Sequence, residues 1–321
     1  MIETAPLRNG HRPPAAPAGG RTLGFVVIGA QKAATTTLWR GLDSHPQVRT
    51  PGDKERGFFN SDGRYEKGLD AFLDATFPDA PAGSVLGTVT PDYMPASKDG
   101  LVVLVERMRD TIPATRLVAI LRDPIERAIS HYRTGLRTGN ASLPTFDEHF
   151  EWVCRERGVI WPPIIRRGEY GRILARYLDA FPREQLLVLW TRDLVRDPAA
   201  VYRELFAFVG VDPCHAPTAG ERLNVGGTSR RVSPEALDEL NAHLDAHLWP
   251  LVADGGEELR RSTRWWLTHL WNTVPDEESK SIGEPLRRRL AEHFLADAQL
   301  LRDRVGVEPP WLGAYEAAVT S

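Results

Sequence analysis

Short, continuously apolar strings alternate along this chain with segments whose apolar residues recur at helical spacing. Residues 23–28 are apolar throughout and rich in β-branched side chains, which predicts a strand buried on both faces of a parallel sheet. Gly29 punctuates that strand, and residues 35–44 then read as a helix that His45-Pro46 ends. Residues 116–121 and 185–190 are two further strand-length strings, followed by Arg122-Asp123-Pro124 and Thr191-Arg192-Asp193, and residues 85–89 predict a weaker strand. Residues 125–132, 170–181 and 199–209 have helical spacing, as do 234–248, 257–271 and 284–305 in the last third, where they would pack on the sheet or cover its open edge. The expected fold class is α/β, a central parallel sheet flanked by helices with a helical C-terminal extension.

Composition narrows the possibilities. The 321 residues suffice for one large domain or two small ones. No internal repeat or long linker is evident, so the reading is a single domain over residues 22–321, with a variable helical region around 234–284 and a flexible tail over residues 1–21. That tail is rich in Pro, Ala, Gly and Arg and contains no apolar run suited to a signal peptide or a membrane span. The 40 Lys and Arg nearly balance the 43 Asp and Glu, for a net charge of -3, which argues against a nucleic-acid partner while leaving room for local anion pockets. The two cysteines, Cys154 and Cys214, form no CxxC pair, which points to a reducing compartment. No compact His, Cys and carboxylate set suggests a required metal.

Two segments carry candidate chemistry. Between the first strand and its helix lies Gly29-Ala30-Gln31-Lys32-Ala33-Ala34-Thr35-Thr36-Thr37. Such a turn exposes unpaired backbone N–H groups, which together with Lys32 and the threonine hydroxyls suit a phosphate-like group. Its lysine comes too early for the GxxxxGK[ST] order of an ATP- or GTP-hydrolysing loop, and an ordinary turn bearing an exposed lysine is the plain alternative. In the second segment Arg122 ends a strand and Ser130 lies inside the next helix, so a cation and a hydroxyl can meet one anion. Asp123 is suited to cap that helix and Pro124 to start it, and a cap with a surface ion pair is the alternative there.

Together these segments resemble the sulfotransferases that use 3'-phosphoadenosine 5'-phosphosulfate (PAPS). The turn from Gly29 to Thr37 is similar to that family's 5'-phosphosulfate loop, and the stretch from Leu121-Arg122-Asp123-Pro124 to Ser130-His131-Tyr132 to its 3'-phosphate segment. The resemblance implies that Lys32, Ala33, Ala34, Thr35, Thr36 and Thr37 bind the phosphosulfate end and Arg122 and Ser130 the 3'-phosphate. Ala33 and Ala34 stand where glycines are common in the family. Lys54-Glu55-Arg56-Gly57-Phe58-Phe59 resembles the Lys-Glu-x-x-Phe-Phe segment of the branch containing heparan-type and bacterial carbohydrate sulfotransferases. By that likeness Glu55 is the general base, with Lys54 near the transferred group; otherwise the charged pair would be solvated and the phenylalanines would anchor a loop.

The segment from Gly168-Glu169-Tyr170 to Phe181-Pro182, the strand at 185–189 and Asp197-Pro198 continue the likeness. Residues 224–231 loosely resemble the loop over the nucleotide's 3'-phosphate side, where Arg230 or Arg231 would supply charge. Trp265 and Trp266, with Trp271 nearby, are read first as core packing and second as a substrate wall. The resemblance thus implies transfer of a sulfonyl group from PAPS to an alcohol oxygen of a small-molecule or glycan acceptor, while the lack of a membrane-spanning apolar segment and the sparse cysteines point to a soluble cytoplasmic enzyme without integral membrane association. A P-loop-like kinase and a non-catalytic PAPS- or carbohydrate-binding protein are the alternatives, and nothing in the chain specifies an oligomeric state.

Overall fold

The computed structural model describes residues 21–217 apart from 139, 142 and 144, together with 230–232, 234–248, 273–275 and 281–320. Residues 257–271, with Trp265, Trp266 and Trp271, and residues 224–229 lie outside the described residues. Five parallel strands form one sheet: β1 (Phe25–Gly29), β2 (Val48–Arg49), β3 (Val85–Val89), β4 (Arg116–Leu121) and β5 (Leu186–Trp190), in the order β2-β3-β1-β4-β5. Val27 pairs with Val89 on one side and Val118 on the other, and Leu117 to Leu121 run beside Leu186 to Trp190. Every residue of β1 and β4 is buried. That is why these strands read as unbroken apolar strings: helices cover both faces, so neither face needs alternating polar positions.

The helices are α1 (Thr35–Asp43), α2 (Asp62–Tyr65), α3 (Leu69–Thr76), α4 (Lys98–Thr111), α5 (Pro124–Arg137), α6 (Phe146–Arg157), α7 (Pro163–Arg166), α8 (Tyr170–Leu178), α9 (Thr191–Arg196), α10 (Pro198–Val209), α11 (Pro234–His243), α12 (Glu284–Leu300) and α13 (Leu312–Thr320). Strands β6 (Arg230–Val232) and β7 (Thr273–Pro275) make a separate antiparallel pair.

The chain divides into two compact units, one comprising residues 1–127, 165–224 and 291–321, the other residues 128–164 and 225–290. The first contains the whole five-stranded sheet. Its core joins Phe25 and Val27, Val118 and Ile120, and Leu187 and Leu189 from three strands to Leu38 and Leu42 of α1 and to Leu205, Phe206 and Val209 of α10. Burying each such side chain contributes roughly 1.5–3 kcal/mol. On α4, Leu101, Leu104, Val105 and Met108 are buried, an i, i+3, i+4, i+7 stripe.

In the second unit, α6 begins with a capping box in which the Thr145 hydroxyl accepts from Glu148 N and Glu148 reaches back to Thr145 N. The Arg289 guanidinium sits 5.2 Å from the ring centres of both Phe150 and Trp161, and pairs with Glu151 at 3.1 Å. Arg289 is nonetheless an exposed residue, as expected of the polar side of a long helix. Arg230 and Arg231, expected on a loop, instead form β6, in register with Pro275 and Val274.

Strand and helix boundaries otherwise follow the apolar pattern closely. The helix expected over 125–132 continues to Arg137, and the one expected to reach 181 stops at Leu178. Residues 234–248 divide into α11 and a wider turn at Leu244–Leu248, and residues 284–305 divide likewise into α12 and Leu301–Val305. Helices α2, α3, α4, α6, α7, α9 and α13 have no counterpart in the sequence reading.

Candidate functional site

The strand order turns around β1, and the segments leaving the carboxyl ends of β1, β3, β4 and β5 are those in which an open α/β sheet binds ligands. After β1 comes the Ala30–Ala34 turn. Ala30 N donates to Ile120 O at 2.7 Å and Ala33 N to Ala30 O at 3.1 Å, tying the turn to β4 and to itself. Thr191, the first residue after β5, donates its hydroxyl to Ala33 O at 3.0 Å.

Lys32 and Ala34 both have left-handed backbones, with φ of 70° and 67°. Ala34 is the N-cap of α1 and supplies no side-chain hydrogen bond to it. A left-handed conformation costs a non-glycine residue roughly 1–2 kcal/mol. Of the two alanines standing where the resemblance expects glycines, Ala34 therefore carries the strain of the tight turn, together with Lys32. With no capping side chain, the first turn of α1 and the positive end of its dipole have the chemistry to receive an anion. Thr35 is buried, whereas Thr36 and Thr37 are half-buried. Thr37 O accepts a hydrogen bond from the Tyr202 hydroxyl at 2.8 Å, which anchors α1 on α10.

The Lys54-Glu55 pair is brought to this same helix start. Lys54 Nζ donates to Thr36 Oγ1 at 2.9 Å and lies 3.2 Å from Glu55 Oε1. Lys54 is largely covered, whereas the Glu55 side chain is 60% exposed, leaving its carboxylate open to an incoming molecule. Both ends of the segment are pinned. Upstream, Trp39 Nε1 donates to Thr50 Oγ1, which donates to Asp43 Oδ1. Downstream, the buried Tyr93 hydroxyl oxygen accepts from Phe58 N at 2.8 Å and from Phe59 N at 3.2 Å, while both phenylalanine rings are buried. Burial raises the Tyr93 phenol pKa, against the lowering effect of those amide donors.

After β4 the construction differs. Asp123 Oδ1 accepts from Ile125 N at 2.9 Å and Glu126 N at 3.1 Å, capping α5 as the sequence suggested. Burial raises the Asp123 pKa, with the amide bond from Glu126 and the Tyr315 hydroxyl opposing the shift. Arg122 is about one-third exposed and lies 3.5 Å from Glu126. Arg127, overlooked in the sequence, is fully buried, and desolvation lowers its pKa to about 10, with the Tyr170 phenol opposing and Arg167 and Arg122 adding to the shift. Arg167 pairs with Asp92 at 2.8 Å in the turn after β3. Three guanidiniums thus feel one another near the carboxyl end of β4, a field suited to an anion. Ser130 is on α5 within the second unit, where its carbonyl accepts from Thr134 Oγ1 at 3.0 Å. Arg230 and Arg231 belong to that second unit as well.

Residues 25–218 match the model of the sulfotransferase domain. This chain belongs to the sulfotransferase domain family. It is 32% identical over 189 residues to heparan sulfate glucosamine 3-O-sulfotransferase 3B1 of Mus musculus, covering 58% of this chain and 45% of that protein. It is 30% identical over 203 residues to bifunctional heparan sulfate N-deacetylase/N-sulfotransferase 3 of Homo sapiens, covering 59% of this chain and 22% of that protein. The matched region therefore spans less than half the length of these curated relatives. Among solved structures, the sulfotransferase from Alicyclobacillus acidocaldarius is similar over 75% of this chain and 100% of its own, with a TM-score of 0.53 and 26% identity.

The sulfotransferase fold accounts for the parallel sheet and its flanking helices. Among the described residues no helix is long and apolar enough to cross a membrane, and no three His, Cys, Asp or Glu side chains are grouped to hold a metal ion. Tyr93, Arg127, Arg167 and Tyr315 went unnoticed in the sequence; Arg127 lies on the side of α5 away from its Ile125, Ile129 and Tyr132 stripe, so no helical pattern marked it as buried.

Proposed function

We propose that this sulfotransferase moves a sulfonyl group from PAPS to an alcohol oxygen of a carbohydrate, glycolipid or glycosylated secondary metabolite. The carrying observation is the 2.9 Å contact of Lys54 Nζ with Thr36 Oγ1, which sets a lysine and a neighbouring carboxylate beside an uncapped helix start. The residues present suit the donor. Lys32, Thr35, Thr36 and the α1 amides, lined by Ala33, Ala34 and Thr37, would hold its phosphosulfate end. Arg122 and Ser130 would hold its 3'-phosphate, with Arg230 or Arg231 adding charge. Two relatives named for heparan sulfate modification support a sugar acceptor.

PAPS supplies an activated sulfonyl group attached to a phosphate that leaves as an anion. Glu55 takes the acceptor hydroxyl's proton on a carboxylate oxygen, which its exposed position permits. Lys32 and the α1 amides neutralise charge on the oxygen from which the sulfonyl group departs. Lys54 holds Thr36 in place and adds positive charge where the group is transferred. The expected setting is a soluble cytoplasmic enzyme with a small-molecule or glycan alcohol as its partner.

The test screens alcohol acceptors with PAPS and detects, by mass spectrometry, the mass gained from one sulfonyl group. Single-turnover kinetics then compare Glu55→Gln with the wild type. The glutamine variant is expected to keep donor affinity and slow transfer by roughly 10²–10⁴-fold. Transfer at the wild-type rate would remove Glu55 from the mechanism, and consumption of ATP in place of PAPS would favour a phosphotransferase.

A further inference from the structure

The family match ends at residue 218, yet a side chain almost one hundred residues beyond it reaches the Arg122-Asp123-Pro124 turn. Tyr315, on α13, donates its hydroxyl to Asp123 Oδ1 at 3.0 Å. The same oxygen accepts from Ile125 N and Glu126 N, so one atom ties three groups to the junction of β4 and α5. Tyr315 is 4% exposed. Its helix is seated by Trp311, whose ring meets Trp190 edge-on at 5.4 Å and Tyr170 at 6.1 Å. Trp190 ends β5, directly before the Thr191 that binds Ala33 O. The C-terminal segment is therefore wedged beside both anion-directed turns of the first unit.

We infer that Tyr315 is a positioning residue for Arg122: by fixing the Asp123 carboxylate it sets the turn from which Arg122 projects toward the 3'-phosphate of the nucleotide. This rests on the donor reading above. The physical argument is local. Arg122 is adjacent to Asp123, so the Asp123 side chain governs the backbone that aims the guanidinium. Burial pushes the Tyr315 phenol pKa far up, keeping it a hydrogen-bond donor throughout the working pH range. The positively charged groups acting on this turn are Arg122, Arg127 and Arg167, and the acidic ones are Asp123 and Glu126.

The experiment is titration calorimetry of the full chain with adenosine 3',5'-bisphosphate and, separately, adenosine 5'-phosphate. The ratio of the two affinities isolates the 3'-phosphate contribution and needs no acceptor. Arg122→Ala is expected to lower bisphosphate affinity about thirty-fold, as for loss of a charge-assisted contact. Tyr315→Phe is expected to lower it about five-fold while leaving adenosine 5'-phosphate binding unchanged. In the double variant the loss is expected to match Arg122→Ala alone, because Tyr315 acts through Arg122. Tyr315→Phe keeps the buried ring, and its unfolding midpoint together with its adenosine 5'-phosphate affinity confirms that it is folded before the ratio is compared. A Tyr315→Phe protein with the full wild-type ratio, an equal loss for both nucleotides, or additive losses in the double variant would each overturn the positioning role. A wild-type protein without preference for the bisphosphate would instead bring down the donor reading itself.

Discussion

The turns that follow β1 and β4 leave neighbouring strands of one sheet and each opens a helix, yet they are built in opposite ways. After β1 the N-cap is an alanine in a left-handed conformation with no capping side chain, so the amides of α1 remain for a ligand. After β4 the Asp123 carboxylate takes the Ile125 and Glu126 amides, and a third bond comes from Tyr315. A phosphate-like group at the first turn would meet backbone dipoles and lysines; at the second it would meet guanidinium charge. The first depends on unusual backbone geometry stored within a few residues. The second depends on side chains whose aim is set from far along the chain. On the donor reading proposed above, two anions on one nucleotide would be read by distinct physics, which makes their contributions separable by mutation.

Between the two turns, the larger expected effect lies at the first. Lys32→Ala should slow transfer by about 10²–10³-fold, the usual cost of removing one donor that stabilises developing negative charge. It should also weaken binding of adenosine 5'-phosphate and of the bisphosphate together, measured by calorimetry. Loss confined to the bisphosphate would break the comparison, since that selectivity is the one proposed for Arg122.

A third helix start sharpens the contrast with pH. Asp297 accepts from Gly171 N and Arg172 N, both at 2.8 Å, so α8 is capped by a carboxylate from α12. Burial raises its pKa to about 6 from 3.8, against those amide bonds. A raised folded pKa means that the native state binds more protons in this window, so stability contributed by this group is present below about pH 4 and is lost as pH rises to about 6. The shift corresponds to about 3 kcal/mol. Glu169 works the other way: salt-bridged to Arg172 and near His293, its pKa is lowered, so its contribution is lost as pH falls below the ordinary carboxylate range. Denaturant unfolding from pH 4 to 7 should therefore show a falling component that Asp297→Asn flattens; an unchanged profile would remove Asp297 as its source.

The smallest effect tests the strain of the first turn. Ala34→Gly relieves the left-handed backbone at φ 67° and should raise stability by about 1 kcal/mol, read from the denaturation midpoint, with donor affinity preserved. A loss of stability would show that the alanine methyl contributes packing that outweighs the strain.

Much of this molecule could be read before folding. Continuous apolar strings located β1, β4 and β5, and a weaker string β3, because a strand covered on both faces needs no polar alternation. The short edge strand β2 escaped notice because two residues carry no period. Helix α4 was legible in principle, since its buried stripe is regular, but it was not read. Helix α13 offers little pattern: of its nine residues only Leu312 and Tyr315 are buried.

Sequence alone therefore determined the parallel sheet, the Lys32 turn, the Arg122 turn and the Asp123 cap, all features in which neighbouring residues dictate one another's geometry. Only the tertiary structure decided which distant groups complete them. Lys54 meets Thr36 across 18 positions, Tyr93 receives Phe58 and Phe59 across about 35, Asp297 caps α8 across 126 and 125, and Tyr315 reaches Asp123 across 192. Such bonds leave no periodic mark in the chain. A tyrosine that packs and a tyrosine that orients a carboxylate are written with the same residue, and the difference lies in what the fold places 3 Å from the hydroxyl.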